Sequence, residues 1–475
     1  MTTATLPATK KHIACKLHSR IIPAQIDPAS LSEVFSSLPA VSILGGNPSK
    51  ENADGFSYWM AMPKEVFEFR AGETKPLEKL QKFLNKYRLA PAPLPQGIFT
   101  GGWVGFFGYE LGGYIEPIPQ ATADDLRLPL VRLCFYDRLI AYDHSKKAFW
   151  LIALEFDDDA ESPQQKLSAL ENLLDKAGTV RAPLPQYADI EKIDFAHIQP
   201  NMSKEYYFKM FDKIKRHIYD GDVYQINFSQ RFDCQYLARP IDLFHWQNRY
   251  NQSPYSAYIN AGNFQIVSAS PEMFITVKDR IISTKPIKGT RKRIEETSAK
   301  VTQFNTENFR QLLDSEKEKA ELNMIIDLER NDLARICKPG TRKVTQQRTI
   351  ETHPTVFHAV ATVAGELRDD VDFCDVLKAM FPGGSITGAP KIRAMQIISE
   401  IEPTARSVYT GCIGFLGLDG SICLNIAIRT IIIKNQSAYV QTGGAIVADS
   451  DPQAEWNETL VKARALLAGI AAVNR

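Results

Sequence analysis

The 475-residue chain contains no run of eighteen apolar residues, so nothing in it has the length and hydropathy of a membrane span. Charge of one sign is also missing. With 56 Lys and Arg against 55 Asp and Glu, there is no electrostatic case for a nucleic-acid or membrane-surface partner. Cysteine is sparse: Cys15, Cys134, Cys234, Cys337, Cys374, Cys412 and Cys423 are odd in number, scattered, and never spaced Cys-x-x-Cys. This excludes a disulfide framework and a sequence-local zinc site, and predicts mainly small core residues. Residues 1–12 lack an apolar export segment and read as a disordered N-terminus of a cytoplasmic protein. What is present, 44% hydrophobic and 23% charged residues, is the composition of an ordinary globular protein.

From Val41 to about Ala153, short apolar runs broken by Gly, Pro and Asn predict strands, including Ile98 to Tyr109. A polar, proline-bearing stretch over about 156–200 predicts a linker closing an N-terminal portion, 13–200, ahead of a second portion, 201–475. The string Ala-Pro-Leu-Pro-Gln at 92–96 and 182–186 shows shared loop composition without a structural repeat. Beyond it, Tyr207, Phe211, Ile214 and Ile218 give Lys204 to Tyr219 a helical period, stopped by Gly221-Asp222. Residues 255–288 predict strands, 303–335 helix, 355–367 strand, 373–381 and 390–401 helices, and 409–447 strands before a last helix. Strands that cluster instead of alternating with helices imply an antiparallel α+β fold.

Lys288 lies in Ser283-Thr284-Lys285-Pro286-Ile287-Lys288-Gly289-Thr290-Arg291. An ordinary lysine, with a pKa near ~10.4, exposes a free amine in only about one molecule in 2,500 at pH 7. Burial and the like charges of Lys285, Arg291, Lys292 and Arg293 would favour the neutral, nucleophilic form; the alternative is a solvated lysine in a basic loop. The segments 270–277 and 282–288 flank a polar tip, and a hairpin centred on Arg280 would set Glu272 opposite Lys288. Such a pair could divide acid and nucleophile roles, or be an edge ion pair worth under ~1 kcal/mol.

In 315–332, Ile325 and Leu328 at i+4 and i+7 turn Glu321 toward a packed side, whereas Glu316 and Glu329 read as solvent-exposed. The last helix starts at Asp451-Pro452 and carries Glu455, Glu458 and Lys462 on one stripe. Glu458 and Lys462 could be a simple i,i+4 pair, but glutamates from two helices could also hold Mg²⁺. Phe381-Pro382-Gly383-Gly384-Ser385-Ile386-Thr387-Gly388-Ala389-Pro390-Lys391 reads as an anion-binding glycine loop without Walker A spacing, and Gly443-Gly444-Ala445 as a second cradle. Arg429 could bind a carboxylate bidentately.

Together GDVYQINFSQR, SPEMF, TKPIKGT, KAELNMIIDLERNDLAR, FPGGSITGAPKIRAM, YTGCIGF, IAIRT and GGAIVADSDPQAEWNET resemble the chorismate-utilising enzymes, densely over about 200–470. The N-terminal portion is similar mainly in GGWVGFFGYELGG. The resemblance implies a large antiparallel β-sheet sandwich with peripheral helices. It implies Glu321 and Glu458 as Mg²⁺ ligands, Glu272 as the acid that helps the ring hydroxyl leave, and Thr290, His358, Tyr409, Arg429, Gly443 and Lys462 around the substrate. Gln225 replaces the water-activating lysine of the isochorismate-forming relatives, and Lys288 replaces the alanine usual in anthranilate synthases. Both point to the branch that aminates chorismate at ring carbon 4, through a lysine adduct, for p-aminobenzoate and folate synthesis. Leu322, Ala361, Lys285 and Ala445 depart from the common pattern. No cysteine stands in a Gly-x-Cys-x-Gly setting, so ammonia is expected from a glutamine amidotransferase subunit on a separate chain. The alternatives are an anthranilate synthase large component and a non-catalytic metabolite-binding subunit, and tryptophan in the N-terminal portion stays open.

Overall fold

The computed structural model describes residues 13–45, 55–91, 97–119, 122–194, 198–294, 298–353 and 356–474. The expected disordered N-terminus, 1–12, and the first Ala-Pro-Leu-Pro-Gln string therefore lie outside the described residues. Within them, two large sheets of 13 and 10 strands form, flanked by helices, and the strands pair antiparallel except Ile13–Pro23 with Tyr87–Leu89. This is the expected α+β architecture.

Side-chain alternation along the strands accounts for the layering. In Gly102–Phe107, Val104 and Phe106 join Tyr58, Met60, Ile152 and Ile266 of the larger sheet in an inter-sheet core. Trp103 and Phe107 face the other way, into a core shared with Leu322, Ile326 and Leu377 of the helices 316–334 and 373–380. In Phe56–Met60, Trp59 likewise leaves the inter-sheet layer for a third core, with Leu167, Leu170, Leu243 and Leu466 on helices outside the large sheet.

The sequence portions before and after residue 200 contribute to both sheets. Ser42–Leu44 pairs with Tyr255–Asn260, and Gly102–Phe107 pairs with Cys412–Gly417, so two seams of backbone hydrogen bonds join them. The stretch 156–200, expected to be a linker, holds a 17-residue helix, Pro163–Thr179. Its start is a capping box: Gln165 N donates to Ser162 Oγ at 3.3 Å and Ser162 N to Gln165 Oε1 at 2.7 Å. Leu167, Leu170 and Leu174 then bury one stripe, and the buried Lys166 amine bridges Asp137 and Asp159 at 2.7 and 2.5 Å. After the helix, 182–186 runs extended along Pro240–Tyr250, with Trp246 Nε1 donating to Gln186 O and Tyr250 Oη to Pro185 O. Among the described residues no helix is long and apolar enough to cross a membrane. All seven cysteines are free, five of them buried.

Leu170→Ala is expected to cost about 2–5 kcal/mol of stability in chemical denaturation, the usual loss for a buried leucine. A loss below about 0.5 kcal/mol, ordinary for a surface substitution, would restore the linker reading.

Candidate active site

The hairpin forms, but in a different register from the expected one. Its tip is a two-residue turn, Asp279 and Arg280, both with positive φ (49° and 65°), so Lys278 pairs Ile281 and Thr276 pairs Ser283. A bulge follows, and Met273 faces Lys285. Pro286, which has no N–H to give a ladder, ends that strand; Lys288 belongs to the next one, Ile287–Lys292, paired with Val356–Glu366. Glu272 and Lys288 are therefore not cross-strand partners.

They meet through Ser385. Ser385 Oγ donates to Glu272 Oε1 at 2.7 Å, while Lys288 Nζ donates to the Ser385 carbonyl at 3.1 Å. Ile287 N also approaches Glu272 Oε1, at 3.5 Å. Ser385 sits in Phe381–Lys391, which is almost entirely buried and forms a one-turn 3-10 helix at Gly384–Ile386. Asn227 pins it, its N donating to Thr387 O and its Nδ2 to Ile386 O. The loop is thus a wall carrying the acid and the amine, in contrast to the anion cradle expected. Lys391 pairs with Asp332 at 2.5 Å.

Burial drives both key groups toward neutrality. It lowers the Lys288 pKa against the opposing pull of Glu321 and Glu272, and nearby Lys462 acts in the same direction as burial. Burial raises Glu272 against its hydrogen bond from Ser385 and the charge of Lys288. The basic neighbours expected to depress Lys288 are otherwise engaged: Lys285 pairs with Glu351, and Arg291 with Glu318 at 2.7 Å. Lys288 as a whole is only partly buried, and its one hydrogen bond among the described residues is the one to the Ser385 carbonyl.

Glu321 and Glu458 face this amine from separate helices, Glu316–Ala334 and Pro452–Val473. Burial raises the Glu321 pKa, Glu458 adds a like charge, and no hydrogen-bond or ion-pair partner holds its carboxylate among the described residues. Burial opposes ionisation of Glu458 too, but Lys462, at 2.7 Å, holds it below the usual range. Glu455 is buried alongside and accepts from Ser450 Oγ at 2.7 Å. No group of three or more ligating side chains occurs among the described residues. A hard, hydrated cation does not need one: Mg²⁺ takes one or two carboxylates and completes its shell with water and substrate. A partnerless half-buried carboxylate beside a second one fits such an ion.

The expected substrate contacts fall into three places. Arg429, at φ 49°, is enclosed, its pKa lowered by burial, with no carboxylate paired to it among the described residues. Its charge reaches His358, which burial first, then Arg429 and His353, push down to about 3. His358 Nδ1 is buried without a partner, and Thr290, exposed, stands opposite His358 in the ladder. Lys462 Nζ donates to Gly443 O at 2.8 Å, joining both to the Lys288 group. Gly443 and Gly444, expected in a cradle loop, lie inside strand Ser437–Ile446, and a Cβ on Gly444 would stand 2.9 Å from Glu455 Oε2. Tyr409, raised to about 12 by burial, has Arg406, Glu402 and Asn227 as its polar neighbours.

One feature escaped the sequence reading. Glu329, expected to be exposed, is 3% exposed, and Asp332 is buried beside it. Their i,i+3 spacing with Lys391 as outside partner leaves no local signal. Gln225, singled out in the sequence, is fully buried, and both its amide atoms lack a hydrogen-bond partner among the described residues.

Comparison with known proteins accords with this geometry. The family model described as chorismate binding enzyme matches residues 48–468. Aminodeoxychorismate synthase component 1 of Bacillus subtilis (strain 168) is 38% identical over 368 residues, covering 78% of this chain and 76% of that one. Anthranilate synthase component 1 of Acinetobacter calcoaceticus is 36% identical over 412 residues, covering 83% and 80%. The crystal structure of anthranilate synthase component I from Streptococcus pneumoniae TIGR4 superposes with a TM-score of 0.73 at 31% identity, covering 86% of this chain and 92% of that one. Matched by the family model over most of its length and by relatives over three quarters of it or more, the chain belongs to the chorismate-binding enzymes.

Proposed function

We propose that the protein converts chorismate and ammonia into 4-amino-4-deoxychorismate and water, with Lys288 as nucleophile and Glu272 as general acid. One observation carries this reading: an amine and a buried carboxyl, both biased toward their neutral forms, share Ser385, the amine through its carbonyl and the carboxyl through its hydroxyl. Neutral Lys288 Nζ bonds to ring carbon 2, the ring double bonds shift, and the carbon 4–oxygen bond breaks as Glu272 gives its proton to the departing water. The alkylated nitrogen releases a proton that restores Glu272. Ammonia then bonds to carbon 4, the double bonds shift back, and the carbon 2–nitrogen bond breaks with Glu272 returning that proton to Lys288. The new amine's surplus proton closes the cycle, and the enolpyruvyl group stays on the ring.

Glu321 and Glu458 would hold Mg²⁺, which supplies positive charge for the ring carboxylate. Arg429, Lys462, Thr290, His358 and Tyr409 would orient the substrate anion. That the aminodeoxychorismate and anthranilate synthase relatives are each a component 1 supports a separate glutamine amidotransferase subunit as the ammonia source. Amination at carbon 2 with loss of pyruvate, the anthranilate reaction, is the second reading, because relatives with that name match comparably well. Lys288 favours carbon 4: an amine able to occupy carbon 2 itself directs ammonia elsewhere.

Chromatography of a reaction of chorismate, Mg²⁺ and ammonium is expected to give aminodeoxychorismate; anthranilate as the main product would select the second reading. Without ammonium, intact-mass measurement is expected to find an adduct of one chorismate less one water on the wild type and none on Lys288→Ala. No adduct under any quench would count against covalent catalysis. The acid and base requirements predict a bell-shaped pH profile of kcat/KM, rising as Lys288 loses its proton and falling as Glu272 loses its own. Glu272→Gln is expected to lower kcat roughly 10²- to 10⁴-fold, and an unchanged kcat would remove Glu272 from the mechanism.

A further inference from the structure

The motif GGWVGFFGYELGG, residues 101–113, has no part in the chemistry above, yet it ends against the turn that carries Tyr409. Tyr109 N donates to Ser407 O at 2.7 Å. The Glu110 carboxylate accepts two successive backbone N–H groups, that of Arg406 on Oε1 at 2.7 Å and that of Ser407 on Oε2 at 2.9 Å. The two segments approach again nearby, where a Cβ on Gly411 would stand 2.0 Å from Phe107 O. Within the turn, Ser407 and Thr410 have φ of 55° and 60°, the left-handed region that non-glycine residues keep only where their surroundings hold them. Tyr409 lies between them, its N donating to Arg406 O at 3.0 Å. Resting on the function proposed above, we propose that Glu110 is a positioning residue for Tyr409, holding from the N-terminal portion the strained turn that presents this side chain to the substrate anion.

A carboxylate suits this place better than another acceptor. Both N–H groups need a partner, and the two oxygens of an ionised carboxylate, which only accept, satisfy both; an amide would set its own N–H against one of them. The Arg406 guanidinium links the clamp to the tyrosine ring. It lies over the Tyr109 ring at 4.7 Å and the Tyr409 ring at 5.8 Å, and is itself held by Glu402 at 2.7 Å and by Nη2 donating to Asn227 O at 2.6 Å. Tyr109, Arg406 and Tyr409 thus form one series of contacts, and a shift at Arg406 and Ser407 displaces Tyr409 with them. A purely structural role would show as lost stability with chorismate binding intact.

The test is a double-mutant cycle between Glu110→Gln and Tyr409→Phe, followed as chorismate disappearance so that product identity does not enter. The assay runs at about pH 8.5, above the value of about 7 to which burial, opposed by backbone N–H groups and the charge of Arg406, pushes the Glu110 carboxyl. Tyr409→Phe removes the hydroxyl and is expected to raise KM about tenfold or more. Glu110→Gln leaves the hydroxyl but misplaces it, and is expected to raise KM about threefold or more; both keep kcat within about twofold, as for a contact made alike in bound substrate and transition state. In the Tyr409→Phe background, Glu110→Gln is then expected to change KM by less than about 1.5-fold, because no hydroxyl remains to be misplaced. A KM unchanged by either single substitution, or a Glu110→Gln effect that persists in full beside Tyr409→Phe, overturns the assignment. If Glu110→Gln does not fold, Glu110→Asp, whose carboxylate is one methylene short, takes its place; failure of both to fold leaves a structural role alone and also overturns it. If wild type consumes no chorismate, the proposed function fails instead. The crystal structure of the Glu110 variant then decides: Tyr409 Oη displaced upholds the positioning role, and Tyr409 unmoved overturns it.

Discussion

Lys288 has no carboxylate within ion-pairing distance among the described residues, and its amine has a single neutral acceptor, the Ser385 carbonyl. A buried ammonium without a partner is costly, so the amine is held toward its neutral form. The carboxylates that influence it, Glu321, Glu272 and Glu458, act at longer range and are themselves influenced by other cations or by burial.

The two sheets give that arrangement its rigidity. Glu272 and Lys288 lie at or near one end of the smaller sheet, whose other end is built from Gly102–Phe107, Val131–Tyr136 and Glu65–Phe69. The N-terminal strands thus continue the sheet that carries Lys288. The loop 381–391 is clamped on several sides, by Asn227, by Arg406 Nη1 on Ile386 O at 3.1 Å, and by the Asp332–Lys391 pair. Arg406 in turn forms a buried pair with Glu402 at 2.7 Å, so the loop's support is itself charged and interior.

Much of this was legible in the chain. The helix 204–219, the strands of 255–288 and the final helix came from periodicity and caps, and the cleft residues from ordered motifs. Register was not legible at the hairpin. Asp279-Arg280 is not a glycine turn, yet both residues take positive φ, and the bulge after Met273 has no local signature. The helix at 163–179 carried its signal openly, Ser162 with Gln165 and then Leu167, Leu170 and Leu174; the prolines on either side obscured it. Glu329 and the Asp332–Lys391 pair could not be read locally, because what buries them is a loop some fifty residues away, supplied by the fold.

The central claim is that Lys288 presents a neutral amine well below the pH at which ordinary lysines do. The direct measurement is the pH dependence of acetylation at Lys288, followed by peptide mass spectrometry, with exposed lysines of the same molecule as internal reference. The account expects Lys288 to reach half-maximal reactivity at a distinctly lower pH than those lysines. Titration of Lys288 together with them, near the ordinary value of about 10.4, would contradict it.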